Sequence, residues 1–336
     1  MIIFDTRWVG NNGIGRFSKE VYDRLYLEKC NLSGSPVSPL DPFKLSLIYK
    51  NMDRKTLFLS PGYNGPLFSD ISYILTIHDI NHIDRKENSN IFKRIYYRTV
   101  LFKLVSNAKL IFTVSEFSKE RILDYFHIDK NKVIVVGNGV SEEFSTIGNK
   151  FDIGNPYILC VSNRKKHKNE EGLLDAFSRS NIPKYVKLIF TGKETEELKE
   201  LIAELNLDNR VIFIGKVSNA QLSDLYRGAV FTIFPSFYEG FGLPIVESFA
   251  CGTPVITSNV TSMPEIAKDG AILINPNNIE EIINSIDLLF NDTDLQKSLS
   301  QRGIEIAKEY TWENTVNKIR NAILDLGYNL ELRDKA

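Results

Sequence analysis

The chain has 336 residues, a length that favours two domains of about 150 residues each over one compact core. Hydrophobic residues make up 43% and charged residues 25% of the sequence, which is typical of a globular protein and excludes a disordered or fibrous chain. Because 41 Lys and Arg stand against 42 Asp and Glu, the formal net charge is -1, and no overall basic field is available to hold a nucleic acid.

Cysteine usage and the lack of long apolar segments indicate a cytoplasmic protein. Cys30, Cys160 and Cys251 are few and widely spaced, which favours neither a disulfide framework nor a zinc site. The N-terminus carries Asp5 and Arg7, so it does not resemble a signal peptide, and no later stretch reaches the ~18 apolar residues of a membrane span. We therefore expect a cytoplasmic protein, and peripheral attachment to the inner face of the cytoplasmic membrane stays open.

Short apolar runs alternate with helix-length segments along the chain, which predicts parallel sheets covered by helices. In the first half these runs are MIIF (1–4), LFLS (57–60), YILTIH (73–78), LIFTV (110–114) and VIVVG (133–137). In the second half they are YILCV (157–161), KLIFTG (187–192), VIFIG (211–215), VFTIFPS (230–236), PVITS (254–258) and AILINP (271–276). The fold class is therefore α/β, with two doubly wound, Rossmann-like domains that face each other across a cleft, the expected place for a ligand.

The domain boundary is expected near residues 145–156, within the polar, glycine-containing stretch 141–156. We assign residues 1–150 to an N-terminal domain and 151–310 to a C-terminal domain. Helices are predicted around 279–291, 294–309 and 311–326, and we expect the segment 311–336 to pack back toward the N-terminal domain.

The stretch EGFGLPIVE (239–247) places two glutamates around a glycine-rich turn at a helix start. Pro244 suits the first helical turn, and the backbone N–H groups there favour an anion, which Gly240 and Gly242 allow to approach closely. Glu247, one turn into the helix, is placed for a ribose diol, and Glu239 for the hydroxyls of a sugar beyond the phosphates. The alternative is a capped helix with two solvated acids.

The stretch NRKKHKN (163–169) places a run of cations between the strand YILCV and a helix that Asn169 could cap. Such a cluster at the carboxyl end of a strand could neutralise a diphosphate, and Lys168 is the first candidate for that role. The alternative is a solvated charge run. Because this loop and the helix start supply positive charge, we expect chemistry without a divalent metal.

Two candidate motifs lie in the first half. Gly13 and Gly15 link the first strand to a helix in GIGRF, where a ligand could rest its phosphates, but Ser18 replaces the third glycine of a dinucleotide fingerprint, which argues against a dehydrogenase. His78 and Asp79 stand at the end of the strand YILTIH, and His78 is a catalytic candidate.

Two other motifs have simpler explanations. Asp292 and Asp294 resemble a metal-binding D-x-D but lie between two predicted helices, where capping explains them better. The basic, aromatic segment 91–105 could lie on an anionic membrane surface. Its apolar residues form no single stripe, so an ordinary helix packed on the sheet is favoured.

Taken together, the sequence resembles the retaining nucleotide-sugar glycosyltransferases of family four, which have the two-domain GT-B fold. The resemblance covers most of the chain. It rests on GIGRF, TIHD, FTVSEFSKERIL (112–123), VVGNGVSEEF (135–144), NRKKHKN, FIGKVSNAQLSDLY (213–226), YTWENT (310–315) and, most specifically, PSFYEGFGLPIVE (235–247).

The resemblance implies a role for each matched position. Lys168 would hold the diphosphate, Glu239 the donor sugar, Glu247 the ribose, and His78 would lie on the acceptor side. The backbone of Gly240, Phe241, Gly242 and Leu243 would hold sugar and phosphate, and Gly215, Lys216 and Val217 would lie where the base is held. Asn163 and Arg164 stand where many members carry G-R or G-T, so the second cation of the family is in question.

The resemblance favours a hexosyltransferase that uses GDP-mannose and requires no cofactor. Its expected acceptor is a lipid-linked glycan in O-antigen or capsule synthesis. Two alternatives stay open. One is a UDP- or dTDP-sugar-dependent transferase of the same fold, and the other is a module that binds a sugar nucleotide without turnover. Attack on the same face of the sugar as the leaving group is expected, since Glu239 should lie on the leaving-group side and no other carboxylate in a motif is placed on the opposite face for a double displacement.

Overall fold

The computed structural model describes residues 1–10, 13–30, 32–85 and 91–333. It divides the chain into two compact units. The first unit comprises Met1–Gly139 together with Trp312–Ala336, and the second comprises Val140–Thr311. Asn11 and Asn12, which belong to the glycine loop of the first half, lie outside the described residues.

A parallel sheet forms the centre of the first unit. Its strands are β1 (Ile2–Phe4), β2 (Glu28–Lys29), β3 (Leu57–Leu59), β4 (Ser72–Thr76), β5 (Leu110–Thr113) and β6 (Val133–Val135), in the order β2-β1-β3-β4-β5-β6. The five apolar strands are the runs predicted from the sequence. The edge strand β2 was not predicted, because its two charged, exposed residues carry no hydrophobic signal.

Helices cover both faces of this sheet. They are α1 (Gly13–Arg24), α2 (Asp41–Ile48), α3 (Asn81–Asp84), α4 (Ile91–Tyr96), α5 (Phe102–Asn107) and α6 (Glu116–Phe126). Gly13 and Gly15 lie inside the first turn of α1 and not in a loop ahead of it, which corrects the prediction. A Cβ atom on Gly15 would lie 2.5 Å from the carbonyl oxygen of Gly10, so this helix start requires glycine.

The segment that the sequence predicted as one helix over 91–105 is two helices joined by a π-helical turn, Tyr97–Leu101. Tyr97, Leu101, Leu104 and Val105 are buried in the core of the first unit. The interpretation as a helix packed on the sheet is therefore confirmed, with an interruption that apolar spacing alone does not reveal.

Helix α14 (Trp312–Asp325) belongs to the first unit, although it follows the second in sequence. Its apolar face joins the core formed by β1, β3 and α1, and the ring centroids of Trp312 and Phe17 are 6.2 Å apart. The division at Gly139 lies before residue 150 of the sequence assignment, because Val140 and Phe144 pack with the second unit.

The second unit is built on another parallel sheet. Its strands are β7 (Tyr157–Cys160), β8 (Lys187–Phe190), β9 (Val211–Phe213), β10 (Phe231–Phe234), β11 (Val255–Ser258) and β12 (Ala271–Ile274), in the order β12-β11-β10-β7-β8-β9. The chain order reverses between β7 and β10. In an open α/β sheet this switch point is where ligands bind, outside the carboxyl ends of the strands.

The helices of the second unit are α7 (Glu170–Arg179), α8 (Glu196–Glu204), α9 (Asn219–Gly228), α10 (Leu243–Ala250), α11 (Met263–Ala267), α12 (Ile279–Asn291) and α13 (Thr293–Ala307). Asp292 caps α13, since its carboxylate accepts hydrogen bonds from the amides of Asp294 and Leu295. The capping interpretation of the D-x-D motif is thus confirmed. Within the described ranges, no cluster of three or more His, Cys, Asp and Glu side chains could hold a metal ion.

None of the helices in the described part of the chain is both long enough and apolar enough to span a membrane.

Candidate functional site

Two loops meet at the switch point of the second sheet. One follows β7 and contains a 3-10 turn, Lys166–Lys168, and the other follows β10 and leads into α10. The amide of Phe237 donates a 2.7 Å hydrogen bond to the carbonyl of His167, so the backbone holds the two loops together. The cation-rich and the glycine-rich motifs of the sequence are therefore neighbours in space.

The side chains of these loops form an ion pair. The Lys168 ammonium donates a 2.6 Å hydrogen bond to Oε1 of Glu239, and the two side chains are only 11% and 13% exposed. The Lys168 nitrogen also lies 4.8 Å from the ring centre of Phe234 at the end of β10. Lys168 and Glu239 are thus held in one place, with limited access to water.

The backbone around Glu239 is fixed from the segment 261–262. The Glu239 amide donates to Oγ1 of Thr261 at 3.2 Å. The Ser262 hydroxyl lies 2.9 Å from the carbonyl of Glu239 and 3.0 Å from that of Phe241. These contacts set the shape of the turn before any ligand arrives, which lowers the entropy cost of binding.

The turn then enters α10 through a glycine. Gly242 has a φ of 102° at the N-cap position and has no side chain to cap the helix. An added Cβ atom would lie 3.0 Å from Cδ1 of Ile245. Because the first amides of a helix lack intrahelical acceptors, this end of α10 can receive an anion. The helix begins at Leu243, so Pro244 lies in its first turn, as the sequence predicts.

Glu247 lies one turn into α10 and is 3% exposed. The hydroxyl of Tyr226, on α9, donates a 3.0 Å hydrogen bond to Oε2 of Glu247. A nearly buried carboxylate that accepts a hydrogen bond from a fully buried tyrosine does not behave as the solvated acid of the alternative interpretation. The sequence analysis missed Tyr226, because its spacing to Glu247 matches no local motif.

Arg164 is turned toward the protein. Its guanidinium lies 3.1 Å from Glu170 and donates to the carbonyl of Thr191. The same group lies 5.2 Å from each of the ring centres of Phe190 and Phe213. Arg164 is thus a packed cation of the loop in this structure, and its contact with a diphosphate, which the resemblance leaves in question, stays a prediction.

The cation run is flanked by two asparagines, Asn163 and Asn169. Asn169 stands before α7 but has a φ of 55°, and its side chain donates to the carbonyl of Pro276 at 2.9 Å. Asn169 therefore occupies the N-cap position of α7, as the sequence indicates, but its side chain makes no capping hydrogen bond and serves the long-range contact to Pro276 instead. Asn163 is exposed.

The loop predicted to hold a base follows β9. Gly215 and Gly192 exchange backbone hydrogen bonds of 2.7 and 3.2 Å, which join the loops after β8 and β9. Gly215 has a φ of 71°, and a Cβ atom there would meet nothing within 4 Å. Lys216 is exposed and Val217 is half-buried, so this loop presents both backbone and side chain to a ligand.

In the first unit, His78 follows β4 and is partly buried. Its Nε2 lies 3.0 Å from the carbonyl of Pro61, so Nε2 carries the proton, and Nδ1 is the basic nitrogen of the neutral ring. The edge of the ring meets Phe17 of α1 at a centroid distance of 5.0 Å. Burial lowers the pKa of His78 from its ordinary value of 6.5, although the hydrogen bond to Pro61 opposes this shift.

A buried polar cluster at the switch point of the first sheet escaped the sequence analysis. Arg7 pairs with Asp5 at 2.7 Å and Asp41 at 2.6 Å, and the amide of Asn64 donates to both carboxylates. The indole of Trp8 donates to Oδ1 of Asn64 at 2.6 Å. These bonds fix the loops after β1 and β3, so we assign the cluster to the scaffold of the first unit.

The predicted site residues thus form one set in each unit. In the second unit, the switch point gathers Lys168, Glu239, the turn 240–243 and Glu247. In the first unit, His78 lies on the loop after β4, and Gly13 and Gly15 lie at the start of α1. The second-unit set combines an anion-binding helix start, a lysine and two carboxylates, which suits a ligand with a charged diphosphate and a hydroxyl-rich group on each side.

Comparison with family models gives two matches. Residues 141–306 match the family described as Glycosyl transferases group 1, and residues 56–144 match Glycosyltransferase Family 4. The first match spans nearly the whole of the second unit. It therefore contains every second-unit residue of the candidate site.

Curated relatives and solved structures agree with the family models. The chain is 30% identical to O-antigen chain mannosyltransferase B of Escherichia coli, over 74% of this chain and 69% of that protein. It is 28% identical to O-antigen chain mannosyltransferase RfbU of Salmonella typhimurium, over 71% and 69%. The structure of Anabaena HepE in complex with UDP-glucose superposes with a TM-score of 0.78 at 18% identity, covering 96% of this chain and 99% of that one.

Proposed function

Since the chain belongs to the family four glycosyltransferases and has their GT-B fold, we propose that it transfers mannose from GDP-mannose to a glycan acceptor with retention of configuration. Activity as a glycosyltransferase in polysaccharide synthesis follows from the family and from the relatives. The choice of mannose draws on these relatives, which are named as mannosyltransferases of O-antigen chains.

One observation carries the proposal: Lys168 and Glu239 meet at the start of α10. A diphosphate seated at this helix start takes the ammonium of Lys168 as its counter-charge, and Glu239 turns to the hydroxyls of the sugar. Glu247, behind the turn, then binds the ribose diol through its carboxylate. These three contacts would serve the sugar, the diphosphate and the ribose of a sugar nucleotide, and the loop 215–217 would serve its fourth part, the base.

The proposed reaction takes place on one face of the sugar. An acceptor hydroxyl forms a bond to the anomeric carbon on the side from which the diphosphate leaves, and the bond between that carbon and the phosphate oxygen breaks. An oxygen of the departing diphosphate takes the acceptor proton. Lys168 and the amides at the start of α10 stabilise the charge that develops on the leaving group, so the step requires no divalent metal.

We assign His78 to the acceptor side, as the resemblance implies. Its neutral ring offers Nδ1 as a hydrogen-bond acceptor for a hydroxyl group. We propose a lipid-linked glycan as acceptor and the inner face of the cytoplasmic membrane as the place of reaction.

A thermal-shift series with GDP, UDP, dTDP and NAD tests the donor class. We expect GDP to raise the unfolding midpoint most, because a ligand at about 100 Kd stabilises the folded state by about 2.7 kcal/mol. A larger shift with UDP or dTDP would replace GDP-mannose by another donor while leaving the transferase intact. A shift with NAD alone would contradict the site assignment.

Turnover distinguishes a transferase from a binding module. We expect GDP release from GDP-mannose that depends on the acceptor and persists in excess EDTA. NMR of the anomeric proton of the product should show retention, and mass spectrometry with a slow donor analogue should find no glycosyl adduct on Glu239. An adduct would contradict same-face attack, and binding without turnover across an acceptor panel would support the module.

A further inference from the structure

Helix α2 presents an apolar face to solvent in place of the polar face usual for a surface helix. Its inward side buries Leu45 and Ser46, whereas Phe43, Leu47 and Ile48 point outward, and Leu47 is 76% exposed. Exposed large hydrophobic residues are ordinary when they are scattered singly, but a contiguous group marks a surface that meets another body.

This face continues across Phe68 to α5. Phe68 is 56% exposed, and its amide donates to the Ser46 hydroxyl at 2.9 Å, so it is anchored against α2. The rings of Phe43 and Phe68 have centroids 6.0 Å apart, and the Lys103 ammonium lies 4.1 Å from the centre of the Phe68 ring. We call this the basic apolar surface and define it by Leu40, Phe43, Leu47, Ile48, Phe68 and Phe102, with the cations Lys44, Lys50 and Lys103.

The charges along these elements have one sign. Segments 40–50 and 91–107 contain six cations, Lys44, Lys50, Lys93, Arg94, Arg98 and Lys103, and a single acid, Asp41. Asp41 is buried and paired with Arg7, so the exposed charges of these two segments are all positive. Beside Phe68, the exposed carboxylate of Asp70 is paired with the exposed cation Arg54 and so adds no net negative charge. Helix α4, which precedes the π-helical turn, adds exposed Ile91, Phe92 and Ile95.

We propose that the basic apolar surface docks the first unit on an anionic lipid bilayer, with its aromatic and aliphatic side chains in the interface and its lysines at the headgroups. Side chains with an apolar body and a cationic neighbour suit this boundary, where each cation near an anionic surface contributes about a fivefold gain in binding. A symmetric contact with a second copy would bring the same cations face to face, which repulsion opposes. The docking proposal rests on the proposed function, because a lipid-linked acceptor resides at the surface of a bilayer.

Sedimentation with vesicles tests the proposal without donor or acceptor. The probe is large unilamellar vesicles of phosphatidylglycerol and phosphatidylcholine in equal parts, compared with vesicles of phosphatidylcholine alone. We expect the protein to bind the anionic vesicles, and raised salt to weaken that binding. Failure to bind anionic vesicles would overturn the docking proposal and leave GDP binding and turnover unaffected.

Two sets of variants locate the contact. Phe43→Ser with Leu47→Ser removes apolar contacts, and Lys44→Glu with Lys103→Glu reverses two charges. We expect each pair to weaken vesicle binding at least tenfold. The matched controls lie in the second unit: Tyr185→Ser with Leu288→Ser, two exposed apolar residues, and Lys199→Glu, an exposed cation, should leave binding unchanged.

Three further measurements complete the test. The unfolding midpoints of the surface variants should match wild type, since the altered side chains are exposed, and transfer to a soluble acceptor analogue should persist. Equal loss of vesicle binding in the control variants would overturn the assignment of the surface. Concentration-dependent dimers that Phe43→Ser with Leu47→Ser dissolves would show a second copy as the occupant and would also overturn it.

Discussion

The ammonium of Lys168 and the carboxylate of Glu239 lie 2.6 Å apart. The residue proposed to bind the diphosphate and the residue proposed to bind the sugar therefore neutralise each other in this structure. A donor must separate them, and each then finds a new partner on the same molecule. Free nucleoside diphosphate offers Lys168 a partner but leaves Glu239 without one. If Lys168 binds the diphosphate and Glu239 the sugar, as proposed, the pair favours the complete donor over the product.

Glu239→Gln should tighten the binding of free GDP, because Lys168 no longer has to leave a carboxylate and one negative charge near the diphosphate is gone. We expect a several-fold lower Kd, on the order of 1 kcal/mol for a partly accessible ion pair. The same variant should transfer mannose more slowly, since Glu239 no longer orients the sugar. Calorimetric titration with GDP measures the first effect, and unchanged or weaker GDP binding would contradict the competition.

Lys168→Ala should lower kcat/KM by about 3 kcal/mol, the scale for one preorganised contact to charge that develops in a transition state. The loss should appear more in kcat than in donor affinity. Lys166→Ala, an exposed cation of the same loop, is the matched control and should stay near wild type. Equal kinetics in the two variants would place Lys168 in a solvated charge run.

Tyr226→Phe removes the hydroxyl that orients Glu247, and we expect it to weaken GDP binding by about 1–3 kcal/mol. The variant should lose most of the preference for GDP over 2′-deoxy-GDP, because the ribose diol is the group that we propose Glu247 binds. Tyr157→Phe is the control, since its hydroxyl also makes a buried 2.7 Å hydrogen bond, to the carbonyl of Leu225, in the same core cluster. A loss of stability without a change in the 2′-hydroxyl preference would make Tyr226 merely structural.

Gly15→Ala should destabilise the first unit, because a Cβ atom would lie 2.5 Å from the Gly10 carbonyl oxygen. Gly13→Ala meets nothing within 4 Å and should retain or raise stability, since alanine favours the helix. Thermal unfolding separates the two. If Gly13→Ala lowers activity at unchanged stability, the start of α1 approaches a ligand; full activity would limit the role of these glycines to packing.

The lowered pKa of His78 predicts a pH dependence of stability. Above pH 6.5 the ring is neutral in the folded and unfolded states, so it adds no pH dependence. As the pH falls below 6.5, the unfolded chain takes up the proton first, and the free energy of unfolding decreases until the folded ring is protonated. Denaturant unfolding of wild type and His78→Gln between pH 7.5 and about 5 should show a smaller decrease in the variant; parallel curves would show that His78 titrates normally.

Local motifs explain why much of the fold and of the second-unit site could be predicted. The turn before α10 is encoded by Gly242 and Pro244 within a few residues, and Glu247 follows one turn later. The buried strands are short runs of apolar residues, so their composition alone predicts them. The rule that parallel strands end at a common edge places the loops that carry Lys168 and Glu239 on the same side of the sheet, although it does not give the contact between the two side chains.

The contacts that could not be predicted join residues far apart in sequence. Lys168 and Glu239 are separated by 71 positions and Tyr226 and Glu247 by 21, and no periodicity encodes such pairs. Asn169 was assigned to a helix cap because capping is its local preference, whereas the structure uses its amide for a carbonyl more than a hundred positions away. The π-helical turn in 91–107 likewise depends on packing against the sheet.

The place of α14 in the first core has a consequence for how the protein is made. The chain enters the second unit at Val140 and leaves it at Thr311, so all of that unit leaves the ribosome before Trp312 and Ile323 can reach Phe17. Domains usually fold in the order of their synthesis. Here the unit that is synthesised first is the last to complete its core. Until α14 has been synthesised, the apolar face that it covers stays exposed on the nascent chain.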